Sequence, residues 1–211
     1  MAKSLKEQNR WQIWFVVAVN TLFLWAIVQA NAIQAVDLRA IFKNVDSFLA
    51  PTFALIISTV LNGLLSADNK ARLVFLRWRY ALPGHRAFTH YGKSDPRIDL
   101  ARLSKIFGGT LPTEPTEQNQ TWYRFYRIVE NSPAVLQTHR DFLLLRDYTG
   151  LAALFILVFG AVGFYAIPSL TTSCLYFLLL LIQYFVVRQA AAHYGVRMVT
   201  TVLAQKMAQT K

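Results

Sequence analysis

The chain has 211 residues, 55% of them hydrophobic, and its 22 Lys and Arg against 11 Asp and Glu give a net charge of +11. A single cysteine, Cys174, excludes an intrachain disulfide and a cysteine-based metal cluster. The apolar residues are concentrated in blocks instead of being spread as a soluble core requires, and the basic surplus indicates either nucleic acid or an anionic membrane surface as a partner.

The first two apolar blocks lie near the N-terminus. Residues 11–30 carry no charge, and about 20 helical residues at about 1.5 Å each match a hydrocarbon core of about 30 Å. The basic residues before this block and the tripeptide Ala30-Asn31-Ala32 resemble a secretory signal, but the apolar run is longer than a signal core, so we interpret it as an uncleaved span. A second uncharged run predicts a span over residues 47–67.

Two further blocks predict a helical hairpin. Residues 151–167 and 170–187 are apolar, and the short turn Pro168-Ser169 joins them. With the first two blocks they predict an all-α fold, a four-helix transmembrane bundle.

The distribution of cations predicts the orientation. Only Arg39 and Lys43 lie between spans one and two, and none lies in the turn between spans three and four. The other 20 Lys and Arg residues lie in the N-terminal tail, the 68–150 loop and the C-terminal tail, which adjoin the opposite ends of the spans. Since Lys and Arg are retained on the cytoplasmic side, we expect a bacterial inner-membrane protein with both termini and one large basic loop in the cytoplasm, facing anionic lipid headgroups. We favour this explanation of the basicity over a nucleic acid or nucleotide ligand, which is the alternative.

The cytoplasmic part is predicted to be helical. Residues 68–82 lack Gly and Pro and should continue span two, Ser132-Pro133 should begin a helix that runs into span three, and residues 188–206 should continue span four. A compact helical subdomain is expected from residues 84–131. The predicted divisions are 1–67 (tail and spans one and two), 68–150 (basic helical insert), 151–187 (spans three and four) and 188–211 (C-terminal helix).

Two short helices are expected within the insert. Asp95-Pro96 should cap a helix over 97–107 that Gly108-Gly109 ends, and a second helix should cover 117–130. The second carries a cluster of aromatic residues: Trp122, Tyr123, Phe125 and Tyr126. We favour a role for them in core packing over a base-stacking surface with the interleaved arginines. Five cations are predicted to face anionic lipid or a protein partner: Lys70, Arg72, Arg77, Arg79 and Arg86.

No enzyme is indicated by the motifs. His139-Arg140-Asp141 matches the kinase catalytic loop, but the chain has neither a Gly-rich nucleotide loop nor a DFG motif. The four histidines show no HExxH pattern, and no P-loop glycine precedes Gly92-Lys93-Ser94. The sequence therefore predicts no catalytic residue, no metal site and no cofactor.

Polar residues within the spans are few and uncharged. Asn20, Asn62 and Gln183 carry amides that seek partners in hydrocarbon, which favours contacts between helices or between copies in a homo-oligomer; lining of an oligomeric pore by Asn20 is the alternative. Gly160 and Gly163 predict close helix packing in span three. The absence of intramembrane acids and bases disfavours ion-coupled carriers.

These short span hairpins with a helical cytoplasmic insert resemble, in overall plan, the small multi-pass membrane proteins of bacterial antiphage systems, such as retron and cyclic-oligonucleotide effectors or the membrane subunit of Kiwa. The resemblance implies a non-enzymatic effector or sensor that receives a cytoplasmic partner or ligand and acts by oligomerising or permeabilising the membrane; it carries over no functional residue. A membrane scaffold for a cytoplasmic protein partner is the alternative, and a small transporter is the least favoured.

Overall fold

A computed structural model describes residues 5–30 and 49–209, and every regular element in these ranges is helical. The predicted all-α class is therefore confirmed. The start of the second predicted span at Ser47, the segment that carries Arg39 and Lys43, and the last two residues lie outside the described ranges. The helices are α1 (Leu5–Gln8), α2 (Arg10–Val28), α3 (Leu49–Leu64), α4 (Ala67–Phe75), a 3₁₀ turn (Pro83–Arg86), a π-helical turn (Ala87–Tyr91), α5 (Gly92–Ser94), α6 (Leu100–Phe107), α7 (Pro115–Val129), α8 (Pro133–Ala166) and α9 (Leu170–Gln209).

Three helices are long and apolar enough to cross a membrane: α2, α8 and α9. They contain the first, third and fourth predicted spans. Much of their apolar surface is exposed, as at Phe15, Leu157 and Ile182. Exposed side chains of this kind, over such lengths, fit a lipid environment and would be unfavourable in water.

The second predicted span is a broken pair of helices. Residues Pro51–Leu64 and Ala67–Phe75 pass the criteria for a span only when taken together, so the candidate spans number three, or four with this pair. The expectation of one straight helix from the span to residue 82 is wrong. Ser66 and Asp68 are residue types that begin a new helix, and positive φ angles at Leu76 and Tyr80 keep the chain from continuing α4.

The chain divides into two compact units. One comprises residues Met1–Ser66 and Asp147–Val187, and we call it the apolar unit. The other comprises Ala67–Arg146 and Arg188–Lys211, and we call it the basic unit because it holds 17 of the 22 Lys and Arg residues but only 7 of the 11 Asp and Glu. The long helices α8 and α9 each contribute residues to both units.

The apolar unit has a core of buried side chains from its helices. Val17 and Leu24 of α2 lie in one cluster with Phe155 and Phe159 of α8 and Leu180 of α9. The two phenyl rings lie 4.7 Å apart between centroids, a distance typical of a favourable aromatic pair.

The basic unit is built around α7 and the C-terminal part of α9. Trp122 and Phe125 of α7 are buried with Val199 and Leu203 of α9, and Leu103 of α6 completes this side of the core. Burial of each such side chain contributes about 1.5 to 3 kcal/mol, so these contacts account for the compactness of a unit made of short helices.

Helix ends in the basic unit follow local capping chemistry, with one correction. The cap of α6 is Asp99, whose side chain accepts hydrogen bonds from the amides of Ala101 and Arg102, and not the predicted Asp95-Pro96. Asp95 does not cap α6 because its carboxylate pairs with Arg97. Gly108 ends α6 with φ of 83°, where glycine is favoured.

Candidate functional site

The basic unit contains an open groove of about 640 Å³. Its lining combines cations, hydrogen-bonding groups and a few apolar side chains: Phe75, Arg77, Tyr91, Asp95, Arg97, Arg188, Gln189, Ala192, His193, Val196, Arg197 and Thr200. A volume of this size accommodates a small organic ligand. We call this feature the arginine groove.

One wall of the arginine groove is a stripe along α9. Its members recur at helical spacing, so Arg188, Ala192, Val196 and Thr200 follow one another at intervals of four. Val199, next to Thr200 in the chain, is buried in the core of the basic unit. The stripe therefore lies at the edge of that core, with Val196 packed against it and Arg188 as its one cation.

Arg77 and Arg188 lie at one end of the groove. Arg188 donates from Nη1 to the carbonyl of Val74 at 3.2 Å and from Nη2 to Oε1 of Gln189 at 2.7 Å, while its Nε is buried without a hydrogen-bond partner among the described residues. Arg77 donates to the hydroxyl of Tyr91 at 3.2 Å. Both guanidinium groups are thus held in place by neutral acceptors, which leave their charges uncompensated.

Arg97 and Arg197 lie toward the other end. Arg97 forms two hydrogen bonds with the Asp95 carboxylate, at 3.0 and 2.7 Å, and donates to the Thr200 hydroxyl at 3.2 Å. The hydrogen bond from Arg97 holds the pKa of Asp95 well below its usual range, and the same bond raises the pKa of Arg97. Arg197 is exposed, and its guanidinium has no hydrogen bond or ion pair with the described part of the chain.

The charges of the groove do not balance. It has four arginines and one carboxylate, and that carboxylate is already committed to Arg97. Three guanidinium charges remain without a counterion in the lining. Guanidinium forks prefer planar or tetrahedral oxyanions, so the groove has the chemistry of an anion-binding site. Within residues 5–30 and 49–209, no group of three His, Cys, Asp or Glu side chains is placed to hold a metal ion.

A second, smaller cavity lies in the apolar unit and brings two of the predicted amides to one place. It has a volume of about 390 Å³ and includes Asn20, Gln183 and Tyr148 in its lining. Gln183 donates to the Tyr148 hydroxyl at 2.9 Å, whereas Asn20 donates to its own helix at Val16. The third predicted amide, Asn62, does not line this cavity, and its Oδ1 is buried without a hydrogen-bond partner in the described ranges.

The two span glycines lie at a close approach between α8 and α9. A Cβ at Gly160 would be 2.9 Å from the ring of Phe177, and one at Gly163 would be 2.8 Å from the ring of Tyr176. Neither position has room for a larger side chain without a shift of the aromatic ring.

The five predicted basic residues are separated by the structure. Lys70 is buried, with 4% of its surface exposed, because it shares a helical face of α4 with Ala71 and Val74. Arg72 lies over the ring of Trp78 at 5.5 Å. Of the set only Arg77 lines the arginine groove, and the remaining two are exposed outside it: Arg79 and Arg86.

The aromatic cluster of α7 is divided between core and surface. Trp122 and Phe125 are buried, Tyr126 is half-buried and hydrogen-bonds to His139, and Tyr123 is 52% exposed. Burial raises the pKa of the Tyr126 phenol. Because only Tyr123 presents its ring to solvent, the cluster does not form a platform on which several bases could stack.

Sequence reasoning missed most of the arginine groove. The overlooked signal was the set of polar residues on α9, Arg188, His193 and Arg197, all of which line the groove. Comparison of the chain with protein-family models, curated proteins and solved structures gave no match.

Proposed function

We propose that this chain is a non-enzymatic membrane receptor and effector whose basic unit receives an anionic ligand or partner in the cytoplasm. The observation that carries the proposal is the arginine groove, where three guanidinium charges lack a counterion. A soluble anion-binding protein would not need helices as apolar as α2, α8 and α9, so the two features together favour signal reception at a membrane.

The arrangement in the membrane is a four-helix bundle with both termini inside. The surplus of Lys and Arg in the basic unit supports this orientation, since cations are retained in the cytoplasm, and the bacterial inner membrane is the expected location. The fourth crossing is α3, the first helix of the broken pair, whereas α4 belongs to the basic unit. Anionic headgroups attract the exposed arginines of the basic unit.

The response of the protein is oligomerisation or permeabilisation of the membrane. The cavity that contains Asn20 and Gln183 supports this part of the proposal, because amides in hydrocarbon stabilise contacts between helices or between subunits. Since α8 and α9 contribute to both units, a ligand that orders the basic unit acts on the helices that cross the membrane. The resemblance in plan to antiphage membrane effectors makes defence against phage the pathway we propose.

The test measures membrane potential in cells that express the chain from an inducible promoter. We expect depolarisation with a potential-sensitive dye, and we expect Gln183→Leu to reduce it because the hydrogen bond to Tyr148 is lost. Ile182→Leu, at an exposed position of the same helix, is the matched control. An unchanged potential under activating conditions, in cells whose membrane fraction contains the protein, would refute permeabilisation of the membrane as the response.

A scaffold for a cytoplasmic protein is the second candidate. It is favoured by apolar side chains that are exposed in the basic unit: Trp78 at 81%, Ile128 at 56% and Tyr123 at 52%. Such side chains frequently anchor protein interfaces. Purification of the native complex in detergent distinguishes the candidates: a stoichiometric soluble partner that is lost in Trp78→Ala, together with no conductance in liposomes, would support the scaffold.

A further inference from the structure

We propose that the arginine groove binds a small molecule that carries two or more phosphoryl groups, one toward each end of the groove. This assignment rests on the proposed function, because it names the ligand class that the basic unit receives. The ligand is identified by its chemistry alone: separated phosphate esters or anhydrides on a compact body.

The hydrogen-bond donors of the groove favour phosphate as the ligand group. Arg77, Arg188 and Arg197 are not neutralised by a carboxylate in the lining, and the buried Nε of Arg188 has no acceptor among the described residues. A buried N–H without an acceptor is unfavourable by about 1 to 3 kcal/mol, and an oxyanion would supply the missing acceptor. Tetrahedral phosphate offers several acceptor oxygens to more than one guanidinium at once.

The spacing of the arginine charges indicates more than one phosphoryl group. Arg188 and Arg197 are nine residues apart on α9, which corresponds to about 13 Å along a helix at about 1.5 Å per residue. Arg77 is held near the first of them through Tyr91 and Phe75, whereas Arg97 is held near the second through Thr200. Two basic ends separated in this way fit an extended ligand better than a single ion.

The middle of the groove suits an uncharged body between the phosphates. Ala192 and Val196 of α9 and the ring of Phe75 supply apolar surface, and the hydroxyl of Tyr91 and the imidazole of His193 supply hydrogen-bonding groups. The Asp95 carboxylate does not oppose an anion strongly, since its charge is paired with Arg97. The groove volume of about 640 Å³ leaves space for such a body.

Calorimetric titration of the full chain in neutral detergent tests the assignment. Fructose 1,6-bisphosphate is the two-phosphate probe, and glucose 6-phosphate is the matched single-phosphate probe. We expect the bisphosphate to bind at least tenfold more tightly, and Arg197→Ala to weaken it about tenfold, the effect of one lost charge-assisted hydrogen bond. Arg197→Lys should have an intermediate effect. Arg86→Ala, which removes an exposed arginine outside the groove, should change affinity less than twofold.

A second series of titrations identifies the source of the phosphates. The same variants are titrated with cardiolipin, a lipid with two phosphodiesters, in phosphatidylcholine nanodiscs. Tighter binding of cardiolipin with loss in Arg197→Ala would assign the groove to a lipid headgroup, and binding of the bisphosphate alone would assign it to a soluble ligand; both support two-phosphate recognition. Absence of binding in both series, equal affinity for the one- and two-phosphate probes, or an equal loss of bisphosphate affinity in Arg86→Ala would overturn it.

Failure of the ligand assignment in these titrations can be distinguished from failure of the proposed function in the depolarisation assay. Binding that depends on Arg197 without depolarisation of cells would retain the ligand assignment and refute the effector. Depolarisation that is unchanged in Arg197→Ala, with no binding of either probe, would retain the effector and refute the ligand assignment.

Discussion

Replacement of Gln118 by methionine is the sharpest test of how the basic unit is held together. Gln118 lies in α7 with 2% of its surface exposed. Its Oε1 accepts hydrogen bonds at 3.1 Å from the amides of Phe88 and Thr89 and from the Thr89 hydroxyl, and its Nε2 donates to the carbonyl of Thr113 at 2.7 Å. One side chain therefore attaches the π-helical turn and the preceding loop to α7.

The magnitude follows from the groups that Gln118→Met leaves without partners. Methionine has a similar length and fills the space, so the cavity term is small. The buried amide of Phe88, the partly buried amide of Thr89 and the carbonyl of the exposed Thr113 lose their partner, at about 1 to 3 kcal/mol for a group that stays buried and less where water replaces the partner. Because three donors share one oxygen, we take the lower part of that range, about 3 kcal/mol in total.

Hydrogen–deuterium exchange of the full chain in detergent measures this effect directly. A local loss of about 3 kcal/mol corresponds to roughly a hundredfold faster exchange of the amides of Phe88 and Thr89. Gln120→Met, at an exposed position of the same helix, should leave both rates unchanged. Exchange at wild-type rates in Gln118→Met would show that the turn is stabilised by its own packing and that the hydrogen bonds contribute little.

Three further predictions concern the core and the groove. Trp122→Ala should lower the unfolding free energy of the basic unit by about 3 to 5 kcal/mol, and Tyr123→Ala, exposed beside it, by less than about 1 kcal/mol, as measured by denaturant titration followed by circular dichroism. Gly195→Ala places a Cβ 2.8 Å from two phenyl rings and should be destabilising by about 1 to 3 kcal/mol in the same assay; an increase in stability would contradict the close packing. Because Arg97 lowers the pKa of Asp95, their ionised pair stabilises the folded unit above about pH 4 and loses this effect progressively below it. The stability difference between wild type and Asp95→Asn should therefore shrink as the pH falls, and a constant difference would refute the assignment.

The long apolar helices could be predicted from the sequence because a membrane span depends only on the residues within it. An uninterrupted uncharged stretch of sufficient length is the requirement, and α2, α8 and α9 meet it. The start of α8 at Pro133 and the end of α6 at Gly108 were also predictable, since Ser132 and Gly108 act on their nearest neighbours.

Two predictions about helix ends were wrong because local residue types did not decide where the helix begins or ends. Asp95 and Asp99 are both residue types that cap a helix, and the distant hydroxyl of Thr200 together with Arg97 decides which of them does so. The second error has a different cause: residues 68–82 contain no Gly or Pro, yet the helix ends at Phe75. Absence of helix-breaking residues permits a helix but does not require one.

Local residue patterns are enough to predict long apolar helices and a surplus of cations in a separate part of the chain. That Arg77, Arg97, Arg188 and Arg197 line one groove depends on the packing of distant segments. These residues lie on segments about a hundred positions apart, and the stripe on α9 acquires its partners only when the helix packs into the core of the basic unit. Periodicity specifies which face of a helix is polar, but the chain that folds against it specifies the site.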